Sequence, residues 1–177
     1  MDDKKEKKEK IAGRIILDTN FLFVPFYYKI DIFEELFFNF KKFEIQIPNL
    51  VFLELEKIKR RKRKGKDRIY VDGINNMIKD LVKSKKVTIV VAGKESKDVD
   101  NYIIDEVKKM KEKEMKEKEM REKKMKEKKI KDENFEEEKL GICTNDKNLK
   151  NKIREIIKKE SLKNVFIISS RGKKLIF

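Results

Sequence analysis

Five short runs of β-branched and aliphatic residues alternate with stretches of helical periodicity, and that alternation constrains the fold more than any other feature of the chain. Arg14 to Leu17 is bounded by Gly13 and by Asp18-Thr-Asn, and Phe43 to Ile47 stops at Pro48. Val87 to Val91, Gly141 to Thr144 and Val165 to Ile168 complete the set. Each has the length and composition of a buried strand. Between them, Ile32, Leu36 and Phe40 fall at helical spacing, and Phe21 to Phe43 is predicted as a helical hairpin turned at Pro25. Pro48 suits the first turn of a helix continued by Leu50, Leu53 and Ile58. Ile74, Met77, Ile78 and Leu81 stripe a helix over Ile69 to Val82. Another begins near Tyr102, Ile103 and Val107, and Asn148 to Lys159 is the last. Strands alternating with helices predict an α/β fold with a central, mainly parallel sheet.

The chain has 177 residues, enough for one domain with a sizeable core. The expected organisation is a charged N-terminal arm over 1–12 and a single domain over 13–177, interrupted by a Lys/Glu/Met-rich insertion over 108–139. In that insertion Met110, Met115, Met120, Met125, Ile130 and Phe135 recur every five residues. Five residues turn a helix by about 140°, so these side chains spiral around it and make no coiled-coil seam. Glu112 with Lys116 and Glu117 with Arg121 have the stabilising i,i+4 direction, which allows a solvated helix. An unbroken helix from Asn101 to Lys139 would end roughly 55 Å from its start. The chain must nevertheless return to a strand at Gly141, so helix is expected to stop near residue 127 or sooner. A projecting or partly disordered excursion outside the core is the expected result.

Lys plus Arg is 48 against 33 acids, a net charge of +15, which favours a polyanionic partner. There is no histidine, which removes Ser-His-Asp and Cys-His hydrolases, imidazole zinc sites and histidine acid–base catalysis. The single cysteine, Cys143, excludes an internal disulfide framework and fits a reducing cytoplasm. No run approaches the ~20 apolar residues of a membrane span. Met1 to Lys10 lacks the apolar core of a secretory signal, and no basic amphipathic helix presents an apolar face to a bilayer. Catalysis in such a chain falls to carboxylates, lysine, hydroxyls or a hard metal held by oxygen.

Ligands of open α/β sheets gather beyond the carboxyl ends of the strands. Asp18 follows the first strand, Asp98 and Asp100 follow the third, and Asp146 follows the fourth. Glu54, in the helix after the second strand, can face the same edge. Asp and Asn are also ordinary turn and cap residues, and Asp146 could simply cap the next helix. Carboxylates converging without a positive partner repel one another and are driven to protonate. Mg²⁺ or Mn²⁺ relieves that repulsion, and both ions suit oxygen-only ligands.

Three blocks carry a resemblance: Ile15-Ile-Leu-Asp-Thr-Asn-Phe-Leu, Ile47-Pro-Asn-Leu-Val-Phe-Leu-Glu-Leu-Glu and Cys143-Thr-Asn-Asp-Lys-Asn-Leu-Lys. In order and spacing they resemble the signature blocks of PIN domains, across residues 14–177 apart from the insertion. Asp18-Thr-Asn-Phe-Leu, Gly65-Lys-Asp-Arg and Thr144-Asn-Asp-Lys are most similar to the rRNA-processing PIN nuclease branch and its archaeal relatives. The resemblance implies a Rossmann-like sheet and Mg²⁺- or Mn²⁺-dependent endonuclease action on single-stranded RNA. It also implies metal binding by Asp18, Glu54, Asp100 and Asp146, with Asn20 and Thr144 as supporting polar groups. Where that branch often has two adjacent Asp residues, this chain has Asp100-Asn101. If the second is the true ligand, Asn101 weakens the site; Asp98 and Asp105 are the nearby substitutes.

Lys57 to Arg68 holds nine basic residues and one acid, and reads as an exposed basic loop. Its Lys59, Arg60, Arg61, Lys62, Arg63, Lys64, Lys66 and Arg68 are the expected phosphate contacts, extended by Lys147, Arg154, Arg171, Lys173 and Lys174. Tyr27, Tyr28 and Tyr70 are candidates for stacking bases. The expected function is a metal-dependent endoribonuclease acting on single-stranded RNA, an rRNA precursor among the candidates. The location would be cytoplasmic, or nucleolar in a eukaryote, and a homodimer is a further candidate assembly. The alternatives are a non-catalytic RNA-binding or ribosome-assembly scaffold and a toxin-type ribonuclease.

Overall fold

A computed structural model of the chain describes residues 11–61, 65–126 and 137–177. The arm over 1–10, the predicted phosphate contacts Lys62, Arg63 and Lys64, and 127–136 of the predicted insertion lie outside the described residues. The strands are β1 (Gly13–Leu17), β2 (Phe43–Pro48), β3 (Thr88–Val90), β4 (Lys139–Cys143), β5 (Val165–Arg171) and β6 (Lys174–Ile176). They form one sheet in the order β3-β2-β1-β4-β5-β6. All pairings are parallel except β5 with β6. The mainly parallel α/β sheet expected from the alternation is therefore present. β1 lies between β2 and β4, so the winding reverses on either side of it, and the crevice beyond its carboxyl end is where such sheets bind ligands.

The helices are α1 (Val24–Tyr28), α2 (Ile32–Asn39), α3 (Leu50–Arg61), α4 (Lys66–Lys83), α5 (Val99–Lys126) and α6 (Lys147–Glu160). A 3-10 turn over Thr19–Phe23 leads from β1 into α1. The core packs the fully buried Ile15, Ile16 and Leu17 of β1 against Phe21, Leu36, Val51, Ile74, Ile103 and Ile153. α2 is capped by Asp31, whose carboxylate accepts from the backbone N–H groups of Phe33 and Glu34.

Four expectations need correction. The reversal between α1 and α2 is not at Pro25, which sits in the first turn of α1, where its missing N–H costs nothing. It falls at Lys29, which takes the left-handed conformation with φ of 52°. Most of the predicted basic loop is helical, because α3 runs through Arg61 and α4 starts at Lys66. Lys and Arg are good helix formers, and three of them close the last turn of α3, where cations complement the helix dipole. Met110, placed in the insertion by its spacing, is fully buried in the core. The first turns of that stretch are held down by Lys111, which donates to the Glu160 carbonyl at the end of α6, and by Lys113, paired with Glu138. Finally, the chain adds a strand, β6, folded back through Gly172 at φ of 61°.

Ala12, assigned to the arm, already donates to the Lys42 carbonyl and accepts from the Lys139 N–H. Gly13 sits beside it between β2 and β4, and a Cβ there would run into the Lys139 backbone. Because that neighbour is main chain and cannot rotate away, Gly13→Ala is expected to cost about 1–3 kcal/mol. Urea denaturation checks this; an unchanged midpoint would mean that β1 and β4 separate freely at that end.

Candidate active site

Asp18 is the first residue beyond β1 and is buried at the sheet edge, 2% exposed. The Thr144 hydroxyl, immediately after β4 and fully buried, donates to Asp18 Oδ2 at 2.6 Å. The backbone of Asn20 also favours the charged form of the Asp18 carboxylate. Despite these influences, burial pushes the Asp18 carboxyl up to about 7, and the negative charges of Asp100 and Glu54 add to the effect.

Glu54 lies in the second turn of α3, and both its oxygens are engaged. Oε2 accepts from the Thr19 hydroxyl at 2.6 Å, and Oε1 accepts from the Val99 N–H, at the start of α5, at 3.0 Å. One carboxylate thereby ties together the segment after β1, the helix after β2 and the helix after β3. Asp100 is in the first turn of α5. Burial raises its carboxyl, helped by the charges of Asp146, Asp98 and Glu54, while Lys152 of α6 opposes them. Asp146 is the N-cap of α6, its Oδ1 accepting from the Leu149 N–H at 2.8 Å, and its own N–H donates to the Thr144 hydroxyl at 3.0 Å. Thr144 thus joins Asp18 and Asp146 through one oxygen.

The structure places Asp18, Glu54, Asp100 and Asp146 at one edge of the sheet, where the charges of Asp100 and Glu54 bear on Asp18 and those of Asp146 and Glu54 bear on Asp100. Asn101 does not join them. Its backbone N–H and its side-chain amide both bond Asp98, at 2.8 and 3.0 Å, forming a cap at the start of α5. Asp98 is therefore engaged by Asn101. Asp105 lies further along α5, half-buried. Asn20 is exposed, and its backbone rather than its amide serves Asp18.

Two contributors escaped the sequence reading. Thr19 was legible only as part of Asp-Thr-Asn, and its bond to Glu54 spans 35 residues. Lys152, five residues past Lys147, carries the cation nearest in effect to Asp100. Among the predicted phosphate contacts, Lys59 is paired with Asp72 and Arg60 with Glu56, whereas Arg61 has no acid partner among the described residues.

An oxygen-only donor set that carries surplus negative charge and raised carboxyls fits a hard divalent cation in donor type and charge. Among the described residues, no group of three or more acids or cysteines is already drawn together to hold one. Asp18, Glu54 and Asp146 are each pinned by a hydrogen bond, so the charge is gathered while their oxygens still serve hydroxyls and backbone N–H groups.

A family model described as a PIN like domain matches residues 15–132. A solved structure of the PIN domain endonuclease Utp24 is similar to this chain, with a TM-score of 0.52 and 23% identity over 93% of this chain and 92% of that one. At that identity the likeness shows the fold. No curated protein matches the chain. Among the described residues, no helix is long and apolar enough to cross a membrane.

Proposed function

The chain belongs to the PIN-like domain family, and from that premise we propose that it is an Mg²⁺- or Mn²⁺-dependent endoribonuclease acting on single-stranded RNA. The observation that carries this reading is the burial of Asp18, its carboxyl raised by desolvation and by the charges of Asp100 and Glu54, at the edge where the sheet winding reverses. Structural carboxylates at turns are normally solvated or paired with cations. Asp18 is buried and Asp100 half-buried, and Lys152 is the only cation acting on Asp100 among its main influences. Asp18, Glu54, Asp100 and Asp146 would hold the ion. When bound, a divalent ion supplies activated water and stabilises charge at phosphorus.

The chain's own residues do the rest. Thr144 fixes the Asp18 carboxylate and the Asp146 backbone together, so the two ligands on the central strands keep their spacing. Thr19 and the Val99 N–H hold Glu54 against the same crevice. The net charge of +15 draws a polyanion to the surface, and Arg61 and Lys147 border the same cavity as Asp146. Single-stranded RNA suits an open crevice flanked by tyrosines, because unstacked bases can reach them. Processing of an rRNA precursor, in the cytoplasm or a nucleolus, is the setting suggested by the resemblance of the three motif blocks.

The test is cleavage of an end-labelled single-stranded RNA with Mn²⁺ and with chelator, alongside calorimetric titration of Mn²⁺. Cleavage is expected with Mn²⁺ and none with chelator. RNA binding that persists without any metal binding or cleavage would leave the non-catalytic scaffold in its place.

A further inference from the structure

A cavity of about 630 Å³ opens directly beside Asp146, bordered by Asn20, Tyr27, Tyr28, Arg61 and Lys147. That volume is within the range of small-molecule and cofactor sites. Its wall is built rather than incidental. The Tyr27 ring stacks on Phe23 at 5.7 Å between centroids, and Tyr70 meets it edge-on at 5.6 Å. The Tyr27 hydroxyl donates to Asp67 Oδ1 at 3.1 Å. With packing on two sides and a hydrogen bond at its tip, Tyr27 is nevertheless 53% exposed, and Tyr28 is 44% exposed. A ring already fixed in place loses little further entropy when a flat ligand packs against it.

The cations complete the pattern. Arg61 ends α3 and Lys147 begins α6, and neither has an acid partner among the described residues. They border the same cavity as the tyrosines. Asp67 and Asp146 also border the cavity, each already accepting a hydrogen bond, from the Tyr27 hydroxyl and the Leu149 N–H. An apolar ligand would therefore leave the cations unused, and a simple anion would leave the rings unused. A nucleotide uses both, with its base on the rings and its phosphate oxygens on the cations.

The geometry points to a nucleotide subsite: the cavity holds one nucleotide of the RNA strand adjacent to the bond that lies over the carboxylates, with the base against Tyr28 and Tyr27 and the backbone on Arg61 and Lys147. For its substrate this rests on the ribonuclease reading, but it makes a separate claim about where the strand is gripped. It gives the strand a fixed register, since Asp146 belongs at once to the cavity wall and to the carboxylate edge.

The experiment measures binding of a fluorescein-labelled ten-nucleotide single-stranded RNA by anisotropy, in chelator, so that no cleavage intervenes. Tyr28→Ala is expected to weaken binding about 10-fold, the effect of one base–aromatic stack, and Tyr28→Phe to stay within about twofold. Lys147→Ala weakens it by a similar factor and lowers its salt dependence. Circular dichroism confirms that each variant is folded. An abasic ribose scanned along the RNA costs affinity on the wild type at one position and costs nothing there on Tyr28→Ala. Equal binding by Tyr28→Ala and wild type, or equal abasic penalties on both, overturns the subsite. If the wild type cuts no RNA with Mn²⁺ yet this pattern holds, the subsite stands and the ribonuclease reading falls. If it cuts RNA while Tyr28→Ala leaves affinity, KM and cut position unchanged, the reverse is true.

Discussion

Asp18→Asn is expected to abolish cleavage, by about a thousandfold or more, and at the same time to make the metal-free protein more stable at pH 8. The two effects share one cause. Burial and the neighbouring Asp100 and Glu54 lift the Asp18 carboxyl from its ordinary 3.8 to about 7. A carboxyl raised on folding leaves the folded state with more bound protons than the unfolded chain between those two pH values. Stability therefore falls as pH rises from about 4 to 7, by about 4 kcal/mol when complete. The penalty is largest at pH 8, where folded Asp18 must be charged. Asparagine keeps an oxygen for the Thr144 hydroxyl and removes the charge, so the metal-free variant should gain about 2–4 kcal/mol at pH 8 and little near pH 4. With Mn²⁺ the order reverses, because the wild type gains binding free energy that the variant lacks. Thermal melts at pH 4.5 and 8, each with chelator and with Mn²⁺, read all four corners. A variant less stable than wild type at pH 8 in chelator would show that Asp18 is an ordinary structural cap.

Arg14→Met is expected to be the most destabilising single change outside the aliphatic core, by about 3 kcal/mol at pH 7. Arg14 projects from β1 and bonds Glu106 of α5 and, through Nε at 3.0 Å, Glu138 just ahead of β4. Lys109 pairs with Glu106 at 2.7 Å, and Lys113 with Glu138 at 2.8 Å. Arg14 and Glu106 are only 13% and 10% exposed. Removing the guanidinium leaves Glu106 charged, mostly buried and dependent on Lys109 alone. Burial works to raise the Glu106 carboxyl, but the bonds from Lys109 and Arg14 outweigh it and hold the group below its ordinary range. A carboxyl lowered on folding stabilises above its unfolded value and loses that contribution as pH falls through the folded one. Below about pH 4 the cost of Arg14→Met should therefore shrink. Denaturation at pH 7 and pH 3.5 checks both halves. Adding Glu106→Leu should recover most of the loss, and failure to do so would place the damage in β1 packing instead.

The strands and the positions of the four carboxylates were legible because each depends on local signals. Gly13, Asp18 and Pro48 punctuate β-branched runs, and an acid just past a strand lies at the ligand-binding edge wherever the sheet is parallel. What was not legible depends on contacts distant in sequence. The Thr144–Asp18 bond spans 126 residues and the Glu54–Val99 bond 45, and nothing in either neighbourhood announces them. Met110 was misplaced because a five-residue recurrence describes the stretch as a whole, whereas its first member needs only one partner, supplied where α5 crosses α6 and β4. Lys29 reverses the chain with φ of 52°, a conformation for which glycine, not lysine, is the usual signal. β6 did have a sign in Arg171-Gly172-Lys173, a glycine turn between two short apolar runs.

The last carboxylate of the cluster also sets a clock on the protein's own manufacture. A ribosome releases the chain from the N-terminus, and Asp146 follows Asp18 by 128 residues, about 6–25 s of synthesis at ~5–20 residues per second. Until β4 arrives, β1 has β2 on one side only, Asp18 lacks the Thr144 hydroxyl, and Asp100 lacks its Asp146 neighbour. On the ribonuclease reading, this order of arrival means that the site is assembled only after the message has been read past the Asp146 codon.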